Sequence, residues 1–193
     1  MQPSADISFL AQVYHHPLVS RNDIVKLSVI HTREFIKKGT FVLEKGSVPQ
    51  EYYILESGLL RSFVHDYNGK DITVNFFTEG ELIIEVASLF QRIPSSENIE
   101  ALTDCIVYKV DFEEFQQLFH EMKGFREWGR AWMSRSLFDF KQRSTSMIVD
   151  SAKERYEHLM KHRPSVSQKA PLKHIASYLG ITDSSLSRIR KAK

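Results

Sequence analysis

The chain has a single cysteine, Cys105, among 193 residues. One thiol excludes an intrachain disulfide and any zinc or iron–sulfur site built from several cysteines. Long apolar runs are also missing. No stretch approaches the roughly 18 residues that cross a bilayer, and Met1–Ser8 lacks the basic and apolar regions of a secretory leader. These absences set the expected location as the cytoplasm, with no membrane partner. Glycine is scarce, at eight residues, and no glycine-rich loop that could cradle phosphates is present. A nucleophile motif is missing too, as is the clustered His/Glu set of a metal-dependent cupin, since Glu85 alone does not make one. His158 and His162 have the i, i+4 spacing of two metal ligands on a helix, but no third ligand accompanies them and their helix is basic. Both are read as surface residues. The chain is therefore expected to be no enzyme, with no catalytic residue and no metal site; a cupin-like enzyme is the least favoured alternative.

What is present is ordinary in bulk: 42% hydrophobic and 26% charged residues, typical of a globular chain of one large or two modest domains. The net charge of +2 hides an asymmetry. Residues 151–193 hold ten Lys/Arg against three acids, a net of +7, which leaves −5 on the remainder. A basic end on an acidic body is the electrostatic footprint of a polyanion partner confined to one domain.

That basic end carries the most informative pattern in the chain. From Leu172 onward, apolar residues recur at Ile175, Leu179, Ile181, Leu186 and Ile189. Pro171 can open a first helix, because its missing N–H would be unpaired there. Gly180 can take the left-handed conformation that closes a helix, and Thr182 can cap a second one. Ala176 is small where two steeply crossing helices must bring their backbones together. These features describe a helix-turn-helix, whose second helix enters the DNA major groove. With Leu186 and Ile189 inward, Asp183, Ser184, Ser187, Arg188 and Lys191 share the outer face, bordered by Thr182 and Ser185. Arg188 is the candidate for direct base readout, and Lys173, Arg190 and Lys191 for backbone contacts. Asp183 repels phosphate unless it accepts from a cytosine amino group.

Upstream the periodicity changes twice. Asp6 to Leu27 predicts two short helices separated by Pro17, packing on a following sheet. From Val29 to Val110, Thr40–Glu44, Glu51–Glu56, Leu59–His65 and Asp71–Phe77 are short, rich in β-branched and aromatic residues, and punctuated by glycines. Asn68-Gly69 is a strong hairpin signal. Many short strands with frequent turns predict an antiparallel roll or sandwich. Its interior can hold one small ligand or be filled by side chains. Asp111 then caps a polar helix, with Glu114 as capping-box partner. A long helix without proline runs from about Phe125 to Val149. Phe125, Trp128 and Trp132 have the spacing of a coiled-coil seam, and this helix is expected to divide its faces between the roll and a partner helix. Ser144–Ser151 is the expected hinge, Ser151–Arg163 the first helix of the second domain with Ala152, Tyr156 and Leu159 inward, and Ser165–Lys169 is left unassigned.

Two stretches, Lys38-Gly39-Thr40-Phe41-Val42-Leu43-Glu44-Lys45-Gly46 and Tyr53-Ile54-Leu55-Glu56-Ser57-Gly58, resemble the opening of the cyclic-nucleotide-binding β-roll. With the long helix and terminal helix-turn-helix that follow, the chain from residue 30 onward resembles the Crp–Fnr family of bacterial transcription regulators. The run from Pro171 to Arg190 is similar to the branch of that family common in Bacteroidetes. The resemblance implies an α+β fold: an N-terminal double-stranded β-helix or jelly-roll domain over residues 1–149, including a dimerisation helix at about 122–149, and a small helical helix-turn-helix domain over 150–193. It further implies a homodimer on a near-palindromic double-stranded DNA site, with RNA polymerase as a further partner and a small effector in the roll. In nucleotide-binding members a Gly-Glu pair takes the ribose and an Arg-Ser pair holds the cyclic phosphate. Here Glu85 stands at the acid but Ile84 replaces the glycine, and Ser95-Ser96 stands at Arg-Ser. Five acids, Glu79, Glu81, Glu85, Glu97 and Glu100, crowd the same segment. A phosphate there lacks its counter-charge, so the expected effector is something other than cyclic AMP, or nothing at all. Phe140 and Lys141 fall where the family's helix closes over the ligand, and Lys141 could neutralise an anionic effector. The alternative is a ligand-independent DNA-binding or partner-docking protein that uses the roll as scaffold.

Overall fold

A computed structural model describes residues 5–191. Two short helices, α1 (Ile7–Val13) and α2 (Arg21–Val29), precede the first strand. Each is capped locally: the Asp6 carboxylate accepts from the Ser8 and Phe9 N–H groups, and Ser20 forms a reciprocal capping box with Asp23. Eight strands follow: β1 (Thr32–Ile36), β2 (Phe41–Leu43), β3 (Glu51–Ser57), β4 (Leu60–His65), β5 (Asp71–Phe77), β6 (Leu82–Ile83), β7 (Asn98–Ala101) and β8 (Cys105–Asp111), with helix α3 (Val86–Gln91) after β6. They form two antiparallel four-stranded sheets, in the orders β1-β8-β3-β6 and β2-β7-β4-β5. The expected hairpin turn joins β4 to β5, where the Asp66 carboxylate accepts the Asn68 and Lys70 N–H groups and Gly69 takes φ +78°.

Alternation along the strands explains why the first sheet is buried on both faces. Leu55 of β3 and Cys105 and Val107 of β8 point between the sheets, where they meet Ile36, Leu43, Leu60, Phe77, Ile83, Ile99 and Ala101. The interior of the roll is thus packed by side chains. Tyr52, Ile54, Tyr108 and Val110 point the other way, onto Leu10, Tyr14, Ile24 and Leu27 of the first two helices. The same outer cluster includes Phe115 of α4 (Phe112–Glu121) and Phe125 and Trp128 of α5 (Lys123–Val149). Asp111 caps α4 as expected, accepting from Glu113 and Glu114 N–H. Gly124 is demanded by contact: a Cβ there would stand 2.0 Å from the Leu18 carbonyl oxygen.

Within this second core, the buried Tyr14 hydroxyl lies 2.8 Å from His31 Nε2 and 2.9 Å from the Tyr52 hydroxyl, while His31 Nδ1 lies 2.6 Å from the Leu27 carbonyl. The chain is satisfied when Tyr52 donates to Tyr14, Tyr14 to Nε2, and Nδ1–H to Leu27, which fixes a neutral imidazole. Burial pushes the His31 pKa down to about 4.

Helix α5 has 27 residues, about 40 Å at 1.5 Å per residue. Its buried residues, Gly124, Phe125, Trp128 and Gly129, all lie in the first turns. Phe125 and Trp128, which the spacing suggested for a coiled-coil seam, are instead buried in their own chain, and the Trp128 indole N–H donates to the Val13 carbonyl at 3.0 Å. Further along, Met133, Leu137 and Phe140 are 45%, 68% and 67% exposed. Ser144 continues their 4-3-4 spacing as an exposed heptad stripe. The Ser144–Ser146 run stays helical, and the break falls at Asp150, where the Ser151 hydroxyl and Glu154 build a capping box for α6 (Ala152–His162). The hinge is therefore narrower than the composition suggested, because α5 keeps its regular hydrogen bonding up to its last turn.

Residues 164–169, unassigned from sequence, form a short helix, α7 (Pro164–Lys169), opened by its proline. Helices α8 (Leu172–Tyr178) and α9 (Asp183–Lys191) complete the described chain. Pro171 sits one position earlier than expected, as the N-cap of α8.

Candidate functional site

The turn between α8 and α9 forms for the local reasons given above. Gly180 has φ +67°, and the Thr182 hydroxyl accepts the Ser185 N–H at 3.2 Å. Ala176, Ile175, Leu179 and Leu186 are buried with Tyr156, Leu159 and Val166 and with Leu59, Phe76 and Leu102 of the roll, so α6, α7, α8 and α9 form a headpiece that shares one apolar cluster with the roll. Ala176 is fully buried at the crossing. Thr182, Asp183, Ser184, Ser187, Arg188, Arg190 and Lys191 are exposed, Ser185 is half-buried, and Lys173 is exposed at the start of α8. By the helical period Ser184, Ser187, Arg188 and Lys191 lie opposite Leu186 and Ile189, whereas Arg190 lies beside Leu186. Arg188 reaches only the Ser184 carbonyl, at 3.5 Å. Asp183 occupies the first turn of α9, where a carboxylate is stabilised by the helix dipole. That gives it a structural reason to be there despite its charge.

The residues expected around an effector do not converge. The Glu85 carboxylate caps α3, accepting from Ala87 N–H at 3.3 Å and Ser88 N–H at 2.6 Å. Ser95 is buried, and its hydroxyl is engaged by the Glu97 backbone, donating to the carbonyl at 2.8 Å and accepting from the N–H at 3.1 Å. Ser96, Phe140 and Lys141 are exposed. Arg92, the one basic residue between Glu79 and Ala101, turns to the Pro49 carbonyl and the Gln50 side chain, both at 2.6 Å. Glu97 is half-buried; burial raises its pKa, a hydrogen bond from Ser62 opposes this, the neighbouring Glu85 charge adds to it, and Arg143 opposes it. The inner edge of the roll therefore presents carboxylates, with Arg143 of α5 as the nearby cation.

Sequence reasoning missed the surface on which the headpiece, α6 to α9, rests. β5 is the edge strand of its sheet, and α8 lies against it. The Thr73 N–H donates to Ser177 Oγ at 3.2 Å, and Arg163 donates to the Phe76 carbonyl at 2.9 Å and to Glu81 at 2.6 Å. Beneath α8, the buried Arg61 is held by Glu100 at 2.6 Å, Asp71 at 2.8 Å and the Thr73 hydroxyl at 3.2 Å. His174 packs over this group. Its pKa falls to about 4, first through burial and then through the positive charges of Arg61 and Lys173. The available signal was an arginine inside a strand segment, flanked two residues away on each side by the apolar Leu59 and Phe63.

Residues 33–122 match the family described as the cyclic nucleotide-binding domain. The chain carries a roll of the cyclic nucleotide-binding type. No curated protein sequence matches it, but solved structures resemble the roll, stalk and headpiece together. FixK2 from Bradyrhizobium japonicum superposes with TM-score 0.73 at 16% identity, covering 84% of each chain. The c-di-GMP-responsive global regulator CLP of Xanthomonas campestris gives 0.68 at 16%, over 90% of this chain and 91% of that one. The catabolite activator protein of Thermus thermophilus gives 0.59 at 19%, over 93% and 85%. At these identities the likeness establishes the fold alone, an antiparallel β-roll followed by a long helix and terminal helices. Within this roll the Glu85 carboxylate is engaged as a helix cap and the Ser95 hydroxyl by the Glu97 backbone. Among the described residues no group of three His, Cys, Asp or Glu side chains could hold a metal ion, and no helix is long and apolar enough to cross a membrane.

Proposed function

We propose that the protein is a DNA-binding transcription regulator of the Crp–Fnr type, a homodimer that reads a near-palindromic site. The observation that carries this is the outer face of α9, open and lined with short hydroxyls and Arg188 while its inner face closes onto α8. The exposed Met133-Leu137-Phe140 stripe supports pairing of two α5 stalks. Dimerisation has a physical purpose, because two half-sites about 34–36 Å apart let two weak headpieces act as one binder. Contact with RNA polymerase belongs to the same reading.

Selection from a random duplex pool, with the dimer mass measured in parallel by sedimentation, tests it. Enrichment of a two-fold-symmetric sequence is expected. A monomer that enriches nothing at low ionic strength would overturn the proposal.

The effector of this roll is not cyclic AMP. Ser95, Arg92 and Glu85 are all engaged within the chain, and Arg143, the cation near Glu97, is held by the Val74 and Tyr178 carbonyls, so a cyclic phosphate would meet carboxylates without a free arginine. The effector is either a less anionic molecule or absent, and the packed interior favours the second, scaffold reading. Calorimetry with cyclic AMP should show no binding heat; micromolar affinity would refute this.

A further inference from the structure

The headpiece of a dimeric DNA reader must stand at a defined place relative to the two-fold stalk, yet the link between them is a short break at Asp150. Something besides the covalent chain has to set its position. The strand ladder contains a place where this happens. Ser62 pairs with Asn75 and Phe63 with Thr73, so Val74 is a bulged residue with no partner in β4. A bulge leaves backbone groups outside the ladder that need another partner. Arg143 supplies it: its guanidinium donates to the Val74 carbonyl.

The same guanidinium donates to the Tyr178 carbonyl at 3.3 Å and lies 4.1 Å over the Tyr178 ring. Tyr178 is the last residue of α8, where unpaired carbonyls and the helix dipole favour a cation. Its ring also rests on Phe76, at a centroid distance of 5.2 Å. Arg143 itself belongs to α5, three residues from Phe140 of the exposed stripe. One side chain therefore joins the stalk, the roll and the helix-turn-helix. Other ties join two of these bodies: Arg163 joins headpiece to roll through Glu81 and Phe76, and Met147 packs over Gly180, joining stalk to headpiece. Glu97, inside the roll, attracts the Arg143 charge.

We propose that Arg143 is the positioning residue that sets the separation of the two recognition helices, by fixing each headpiece against both its own roll and the shared stalk. The outer face of α9 stays open in this docked arrangement, so we take it as the one that binds DNA. This inference rests on the proposed reading of a dimeric DNA binder, and its test is built to separate the two.

The variants are Arg143→Met, which keeps length and loses the donors, and Arg143→Lys, which keeps the charge and loses the planar fork. Each is measured on a duplex with two half-sites at the selected spacing, on the same half-sites moved apart by two base pairs, and on a single half-site. Arg143→Met should lose about tenfold on the selected spacing, as when the competent arrangement drops to about one in ten of the population. It should discriminate poorly between spacings and bind the single half-site as the wild type does. Arg143→Lys should fall between. Unchanged spacing preference, or tighter binding, overturns the proposal, and so does an equal loss on the single half-site. Hydrogen exchange of the α8 amides, read without DNA, should accelerate in Arg143→Met while the dimer mass is unchanged. Unaltered α8 exchange counts against the positioning role even if DNA binding is never observed. Accelerated exchange in a protein that binds no duplex would leave the tie standing and sink the DNA reading instead.

Discussion

Leu137→Glu is the sharpest perturbation of the stalk. Leu137 is 68% exposed in the isolated chain and touches neither buried core of the roll. The substitution should leave the folded monomer as stable as before, with surface changes usually within about 0.5 kcal/mol. Its effect falls on pairing. Fully burying a leucine stabilises by about 1.5–3 kcal/mol, and about two-thirds of that surface is available to a partner. The loss is then about 1–2 kcal/mol per copy. A two-fold interface contains the residue twice, which gives about 2–4 kcal/mol per dimer, or about 30- to 1,000-fold in the dimer dissociation constant. A buried carboxylate adds its desolvation to this figure, so the range is a lower bound. Sedimentation equilibrium across micromolar concentrations measures it, with thermal unfolding as the control for the monomer. Binding to a paired site should collapse while binding to a single half-site persists. If the dimer dissociates no more readily than the wild type, the exposed stripe is not the interface and the stalk argument fails.

Arg188→Ala should cost about 1–3 kcal/mol on the preferred site and relax the preference at one base pair; an equal loss on random duplex would show that it touches only phosphate. Lys191→Ala should weaken binding to all sequences alike and reduce the slope of log affinity against log salt by about one, and an unchanged slope would remove it from the interface. His31 has a folded pKa of about 4 against 6.5, so between these values the unfolded chain binds the extra proton. Stability is then lost as pH falls through that window, by about 2 kcal/mol between pH 7 and pH 5. Urea titrations at both pH values should show this loss, and His31→Asn should flatten it; a wild-type profile as flat as the variant's would contradict the assignment.

The local elements were legible from the residues alone because each is determined by neighbours in the chain. Asp111 and Thr182 announce helix starts by placing a side-chain oxygen next to backbone N–H groups two or three residues on, and Gly180 announces a stop. The β-branched and aromatic residues of Glu51–Glu56, Leu59–His65 and Asp71–Phe77 mark strands, and the spacing of Ile175, Leu179 and Leu186 marks the headpiece core. The outward set on α9 follows from the same helical period. Charge and spacing also exposed the mismatch around Glu85 and Ser95, since a missing arginine needs no coordinates to be noticed.

What only the tertiary structure decided are the partners brought together from far apart in the chain. Phe125 and Trp128 have seam spacing, yet Val13 and Tyr14 cover them, and nothing in a helical period says which surface an apolar stripe meets. Arg92 and Arg143 are equally plain arginines in sequence. One is drawn to Pro49 and Gln50, and the other to a carbonyl that is unpaired only because β5 bulges against β4. Helical and strand periods are set by backbone geometry repeated every few residues, so they can be read along the chain. Which arginine ends beside which orphan carbonyl depends on the packing of whole elements, and that is settled only when the roll, stalk and headpiece close on one another.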